Sequence, residues 1–406
     1  MLRLFRKDKM WRNHDLNRRY DVLIIGAGVH GLATAFYLAK RGITNVALVD
    51  KGYLGGGASA RSTAILRATY VTPQGIPFFY ESLKLYEDLA QELDYNLLFS
   101  QFGRLELAHT ESAIYAARIR AEFNRAMGVD SRIIGPEEIK HIVPPLDMRE
   151  EQDLPVLAAL FHPPASVIRH DAVVWGYARA VDLLGAQIHP HTEVTGFLTD
   201  LHGHVSGVKT NRGDIEAGVV VNCTAAWSSS ICDMLNLKLP IVTHPLQAFV
   251  TEPIKPFLST GVSSTNLHVY IYQTDRGELV VGGAVDHYPT YSHRSTDFRL
   301  EDLVSHALKM FPSLSKVNVL RQWTGLCDMT PDYAPIMGYV PGVKRFLLNC
   351  GWGTYGFKSA PIAGKSMAEL IDTGLAPDLI KPFSITRFDD ARLVNEKGAA
   401  SSAALH

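Results

Sequence analysis

Tyr20-Asp21-Val22-Leu23-Ile24-Ile25-Gly26-Ala27-Gly28-Val29-His30-Gly31, continued at Val46-Ala47-Leu48-Val49-Asp50, decides the fold of this chain. The apolar run Val22 to Ile25 has the length of a buried parallel strand and is too short for a buried helix. Gly26 allows a tight turn, Gly28 lets backbone approach a pyrophosphate, and Gly31 lets the following helix sit close to the strand. Leu32, Ala35, Phe36 and Ala39 recur at helical spacing, and Gly42 stands where a left-handed residue ends a helix. A second buried strand closes at Asp50, 22 residues beyond Gly28, where a carboxylate can take the ribose hydroxyls of an adenosine. Strand, glycine turn, helix, strand and acid together predict an α/β dinucleotide-binding unit.

The chain has 406 residues, of which 47% are hydrophobic, enough for two to three domains with well-buried cores. Forty basic against 41 acidic residues exclude a polyanion partner such as nucleic acid on charge grounds. Cys223, Cys232, Cys327 and Cys350 follow no metal-ligand or disulfide spacing and read as free thiols of a reducing compartment. No apolar run is long enough to span a membrane and the N-terminus lacks the apolar core of a secretion signal, so a cytoplasmic protein is expected. Residues 1–19 form a basic arm in which Leu2, Leu4, Phe5 and Trp11 are interleaved, a composition that suits docking on another subunit.

After Asp50 and Lys51 comes Gly55-Gly56-Gly57-Ala58-Ser59-Ala60-Arg61-Ser62-Thr63, a loop whose backbone and hydroxyls can meet phosphate. Arg67 follows among apolar residues, where an unpaired guanidinium is costly. Residues 77–128 are helical in pattern, interrupted by the strand Arg104 to Ala108, and another helix starts at Gly135-Pro136. A helix over 172–184 leads to the strand-like stretch 186–194, where His189 and His191 read as solvent-facing. The apolar strand Gly218 to Cys223 reads as central in its sheet. Strand-like stretches at 248–250, 269–272 and 278–281 suit an antiparallel sheet. Phe346 to Cys350 is a last buried strand that runs into Gly351-Trp352-Gly353-Thr354-Tyr355-Gly356-Phe357-Lys358 and a helix over about 360–371. Two discontinuous domains are expected: 20–75 with 150–235 and 327–390 for the cofactor, and 76–149 with 236–326 for the substrate. Residues 391–406 are expected to be a mobile tail.

The dinucleotide unit, the stretch Thr330-Pro331-Asp332-Tyr333-Ala334-Pro335-Ile336-Met337-Gly338 and the C-terminal glycine turn together resemble the FAD-dependent amine oxidoreductases related to D-amino acid oxidase. Within them, the chain is similar to the beta subunits of heterotetrameric sarcosine oxidases over nearly its whole length. The most specific stretch is Arg169-His170-Asp171-Ala172-Val173-Val174-Trp175-Gly176-Tyr177-Ala178-Arg179. The resemblance implies an FAD-binding Rossmann-like domain with a discontinuous antiparallel-sheet substrate domain. It implies a non-covalent FAD lined by Val29, His30, Asp50, Arg61, Ser62, Thr63, Val194, Gly353, Gly356 and Lys358, with which Gly26, Gly28, Gly31, Lys51 and Thr354 are grouped. It further implies an FMN attached covalently to His170 at a contact with a larger alpha subunit, and small gamma and delta subunits. Sarcosine would be oxidised at FAD, with electrons passing to FMN and oxygen, while the alpha subunit binds NAD and a folate. Ala58, Ala60, Ser62, Asp50 and Ala225 depart from the family's usual residues.

Secondary-amine oxidation needs a hydride acceptor that no side chain provides, which is the flavin's part. Arg67 is the candidate for a two-pronged contact with a substrate carboxylate, and Lys358 for holding negative charge beside the flavin or helping with that carboxylate. Asp332 reads as a turn residue. No nucleophile elbow, P-loop or metal-ligand cluster is found. Alternatives are a related proline, opine or glycine dehydrogenase or oxidase subunit, a flavin-binding electron-transfer subunit without a substrate site, and a nicotinamide dehydrogenase.

Overall fold

The computed structural model describes residues 10–151 and 153–399. The chain opens with β1 (Arg19–Ile25), α1 (Val29–Lys40), β2 (Val46–Val49) and β3 (Ile65–Leu66), then α2 (Gly75–Glu92), β4 (Ser100–Gln101), β5 (Arg104–Ala108) and α3 (Glu111–Ala126). It continues through β6 (Arg132–Ile134), α4 (Pro136–Ile142), β7 (Ala158–His162), β8 (Ser166–Val167), α5 (His170–Leu183), β9 (Gln187–His189), β10 (Val194–Thr199), β11 (Val205–Thr210) and β12 (Gly213–Asn222). Next come α6 (Ser228–Asp233), β13 (Val242–Thr251), β14 (Gly261–Ser264), β15 (Val269–Gln273), β16 (Leu279–Val285) and α7 (Asp297–Met310). The last elements are β17 (Val319–Met329), β18 (Ile336–Val340), β19 (Val343–Cys350) and α8 (Gly356–Thr373).

The first sheet has a parallel centre in the order β9, β2, β1, β12, β19, flanked by antiparallel β11 and β10 beside β12 and by β18 beside β19. Both faces of that centre are covered, which is why its strands are apolar without alternation. Val22 and Ile24 of β1 meet α1, α2, α5 and α8 in the largest core, while Leu23 and Ile25 face a second core under β10, β11 and α6. Gly26 turns the chain at φ +105, and Gly42 ends α1's turn at φ +86. The second sheet runs β17-β13-β16-β15-β14-β5-β7-β6, antiparallel except for β14 beside β5, with its own core under α4 and α7. The α/β cofactor layer and the largely antiparallel second sheet are the expected fold class.

Several limits move. β7, placed by sequence in the cofactor part that starts at 150, pairs with β5 and β6 in the second sheet. α2, assigned to the substrate part that starts at 76, buries Phe78, Phe79, Leu83 and Tyr86 in the largest core, with Phe78 5.1 Å from Phe383 and 6.0 Å from Trp352 between ring centres. Trp11 packs against Tyr53 and this same core, and Arg12 and His14 both meet the buried carboxylate of Asp182, so the described part of the arm docks on its own chain. Leu2, Leu4 and Phe5 lie outside the described residues. The tail is not free either: Val394, Glu396 and Ala399 are buried, and only 400–406 lie outside the described residues. His189 is buried and bonded to the Tyr20 hydroxyl at 3.1 Å, whereas His191 is exposed beyond the strand. A β-strand's alternation does not decide burial where helices cover both faces.

Candidate active site

A cavity of about 610 Å³ runs along the C-terminal ends of β1 and β2, over the glycine turns that open α1 and α8, and up to the second sheet. Open α/β sheets bind ligands at this edge. At one end, the first turn is shaped by exclusion. A Cβ at Gly26 would stand 2.6 Å from the Cys223 carbonyl oxygen, and one at Gly31 would stand 2.0 Å from that of Gly26. Gly26, Gly28, Val29 and His30 line the cavity, while Gly31 works behind it as a packing position. Asp50 closes β2 with one carboxylate oxygen accepting from Ala27 N–H at 2.9 Å and the other from Gly52 N–H at 2.8 Å. Its direction is thereby fixed. Lys51 lays its ammonium over the Trp227 ring at 4.1 Å, and Val194 forms the wall beside it.

The loop 55–63 crosses beneath. Arg61 lines the cavity and folds onto its own loop, one guanidinium nitrogen donating to the Gly57 carbonyl at 2.9 Å and to that of Gly56. Ser62 accepts from Ala64 N–H at 3.0 Å, and Thr63 donates to the Tyr270 hydroxyl at 3.2 Å. The hydroxyl at the α1 N-terminus belongs to Ser59, which accepts from Val29 N–H at 3.0 Å. Sequence reasoning missed it, although it stands in the same loop.

His30 joins the two glycine turns. Its Nε2 donates to the Gly356 carbonyl at 2.8 Å and its ring stacks on Trp352 at 4.4 Å. Burial pushes its pKa down to about 3, so the ring is neutral and Nδ1 is left buried without a partner. Gly351 and Gly353 take left-handed φ values of +72 and +52, and Asp328 accepts from Gly351 N–H at 2.6 Å. Burial raises the Asp328 carboxyl to about 6, against several backbone N–H bonds that lower it.

Three basic side chains of the cavity wall, Arg67, Arg104 and Lys358, lie close enough together for both arginines to act on the lysine. Arg67 is buried, lies 4.6 Å over the Tyr70 ring, and donates to the carbonyls of Thr69 and Ala399. The two-pronged substrate contact expected of it is therefore partly occupied by backbone. Arg104, missed from the sequence, is buried beside Glu106 at 3.0 Å, and Glu106 also meets Arg120. A charged pair in an otherwise apolar strand was the available signal. Lys358 donates to the Thr354 carbonyl at 3.3 Å and faces the cavity. Burial first, then Arg67 and Arg104, drives its pKa well down. His170 opens α5 but is not a wall of the cavity; burial lowers its pKa, with Arg169 and Arg321 acting in the same direction. Asp332 shapes its turn as expected, accepting from Ala334 N–H, and also holds Arg387 in a buried ion pair at 2.7 Å.

A family model described as FAD dependent oxidoreductase matches residues 21–370. The chain belongs to this family. It is 42% identical to the sarcosine oxidase subunit beta of Arthrobacter sp over 97% of both chains, and 41% identical to that of Rhodobacter capsulatus over 98% of this chain and 95% of the relative. The reading of an FAD-dependent amine oxidoreductase follows from that match. Among solved structures, L-proline dehydrogenase from P. horikoshii superposes with a TM-score of 0.88 at 30% identity, covering 93% of this chain and all of that one. Glycine oxidase from Geobacillus kaustophilus gives 0.83 at 26% identity, covering 91% and 99%.

The residues present fit the family's cofactor. The donor set is that of a dinucleotide site: a fixed acid at the end of β2, a side-chain-free cradle at the α1 N-terminus, and a second glycine turn facing it across the cavity. Among the described residues no cluster of metal-ligating side chains forms, and no helix is long and apolar enough to cross a membrane. All four cysteines are buried free thiols.

Proposed function

We propose that this chain is the flavin-bearing subunit of an oxidase that converts a small N-methyl or secondary amino acid, sarcosine or a close analogue, to the primary amine and a one-carbon unit. The grouping of Arg67, Arg104 and Lys358 on the wall of the cavity carries the reading, because it supplies N–H donors, among them two guanidiniums, for one small carboxylate. Gly26, Gly28, Val29, His30, Asp50, Ser59, Val194, Gly353, Thr354 and Gly356 would hold FAD, which when bound accepts the hydride. The protein's own work is to orient the substrate through its carboxylate, to exclude water at the buried end of the cavity, and to neutralise charge with Lys358.

His170 is the proposed attachment point of a covalent FMN. Its imidazole is held neutral by burial, as a nucleophilic nitrogen requires, and the nearby guanidiniums of Arg169 and Arg321 suit a phosphate monoester. The electrons would leave to oxygen there. A larger alpha subunit and small gamma and delta subunits would complete the assembly, in the cytosol, where free thiols persist. A subunit that binds flavin only for electron transfer would need no cationic pocket beside it, which favours the substrate-oxidising reading.

The test is to co-express the chain with its neighbouring subunits, precipitate the complex with acid and assay flavin in both fractions, after reduction by sarcosine without oxygen. FAD in the supernatant, flavin retained in the pellet and lost in His170→Ala, and bleaching by sarcosine are expected. Flavin that no small amino acid bleaches would refute the substrate claim. FAD without pelleted flavin would refute the FMN claim.

A further inference from the structure

The C-terminal segment braces Arg67 and the start of α2 from behind the cavity wall. Glu396 is 2% exposed, and its carboxylate accepts from Val71 N–H at 2.7 Å and from the Thr72 hydroxyl. The Thr72 oxygen in turn accepts from Gly75 N–H at 2.8 Å, at the start of α2. α2 has no acidic residue in its own first turn. Glu396 thus brings from the far end of the chain the negative charge that a helix N-terminus favours. Space is reserved for it: a Cβ at Gly75 would stand 2.3 Å from a Glu396 carboxylate oxygen. Around it the Glu396 carbonyl accepts from the Tyr355 hydroxyl at 3.2 Å, Glu396 N–H donates to the Asp332 carbonyl at 2.9 Å, and the Ala399 carbonyl accepts from Arg67.

Both cationic anchors depend on what Glu396 holds. Val71 and Thr72 lie on the same irregular segment as Arg67, between β3 and α2. α2 supports the first turn of α8, because the Ser82 hydroxyl donates to the Lys358 carbonyl at 2.8 Å and the Tyr86 hydroxyl to that of Phe357 at 2.5 Å. We propose that Glu396 is a positioning residue for Arg67 and Lys358, and that the C-terminal segment supports the carboxylate subsite from behind its wall. The inference deepens, and rests on, the reading of that subsite as the holder of the substrate's carboxylate.

The experiment uses the flavin-containing complex and methoxyacetate, a carboxylate with no oxidisable C–N bond, titrated by the visible flavin spectrum. Glu396→Ala should weaken methoxyacetate binding and raise KM for sarcosine by about tenfold, a displacement of the anchors by under an ångström being enough, while kcat stays within about threefold. Flavin content should be unchanged. Glu396→Gln, which keeps one acceptor for Val71 N–H, should recover most of the loss. Thr72→Val, which removes the hydroxyl between Glu396 and α2, is a milder second variant and should show the same KM-weighted effect. Methoxyacetate binding unchanged in these variants would overturn the inference, as would loss of flavin in parallel with binding, which would mark a purely structural residue. Wild-type complex that does not bind methoxyacetate would instead refute the carboxylate subsite itself, and the inference with it.

Discussion

Lys358 and His162 show how far a single buried group can be predicted. The pKa of Lys358 is driven well down by burial first and then by Arg67 and Arg104, so its charged form is disfavoured. An anion placed among these three groups restores the charged form, so carboxylate binding should take up a proton. Methoxyacetate affinity is therefore expected to weaken as pH rises through the lowered pKa of Lys358, and that dependence should vanish in Lys358→Met. A pH-independent wild-type affinity would contradict this. His162 donates to the Asp130 carbonyl at 2.6 Å and accepts from Ala68 N–H, and burial lowers its pKa to about 4. Since the folded pKa lies below the ordinary 6.5, the unfolded chain binds more protons between those values. Stability present above pH 6.5 is thus lost on acidification, by about 3 kcal/mol at pH 4. Urea unfolding across that range should show a flatter dependence in His162→Gln. At this scale the sequence indicated Arg67 and Lys358 through their loop positions, and it hid Arg104, Ser59 and Glu396. A residue whose partner lies hundreds of positions away leaves no local pattern, as Glu396 at the foot of α2 demonstrates.

Among elements, the opening strand-turn-helix-strand was legible in full, because its signals are local: a run of apolar residues, glycines excluded from carrying a Cβ, and an acid at a fixed distance. The helix α8 was placed several residues late at its start, since Pro361, the sixth residue of the helix, lacks the N–H of a helix interior and argues for a boundary there. The packing of α8 on α1 was not legible at all. Gly364 makes it possible: a Cβ there would stand 2.6 Å from the Ala33 carbonyl carbon and 2.8 Å from Thr34 N. These are backbone atoms and cannot rotate away. Gly364→Ala is expected to force the two helices apart at a cost of about 1–3 kcal/mol. Both helices start at the cavity, so the complex should also release FAD more readily, which dialysis followed by flavin fluorescence would measure. Full retention of FAD with unchanged unfolding midpoint would show that the contact is slack.

For the whole molecule, the relation between the two sheets decides how the cofactor loop is held. The sequence announced two discontinuous parts but misplaced α2 and β7, because hydrophobic periodicity tells which residues are buried and not against what. The second sheet reaches the loop 61–63 through side chains. Trp323 Nε1–H of β17 donates to the Arg61 carbonyl at 3.0 Å, and the Tyr272 hydroxyl of β15 donates to that of Thr63 at 2.8 Å. Both bonds end on carbonyls of a loop that lines the cavity, so the sheet fixes the loop's backbone whatever its own side chains do. Each bond contributes about 1 kcal/mol, or about fivefold in affinity if the loop must be ordered to receive FAD. Trp323→Phe and Tyr272→Phe should therefore each weaken FAD binding by about that factor, measured by reconstitution of the flavin-depleted complex. Because the two bonds restrain one short segment, losing the second should cost less than losing the first, and the double variant should fall short of the product of the single effects. Independent, fully multiplicative effects would mean that Arg61 and Thr63 are held separately, and an unchanged affinity in the double variant would mean that the cofactor layer orders its loop without the second sheet.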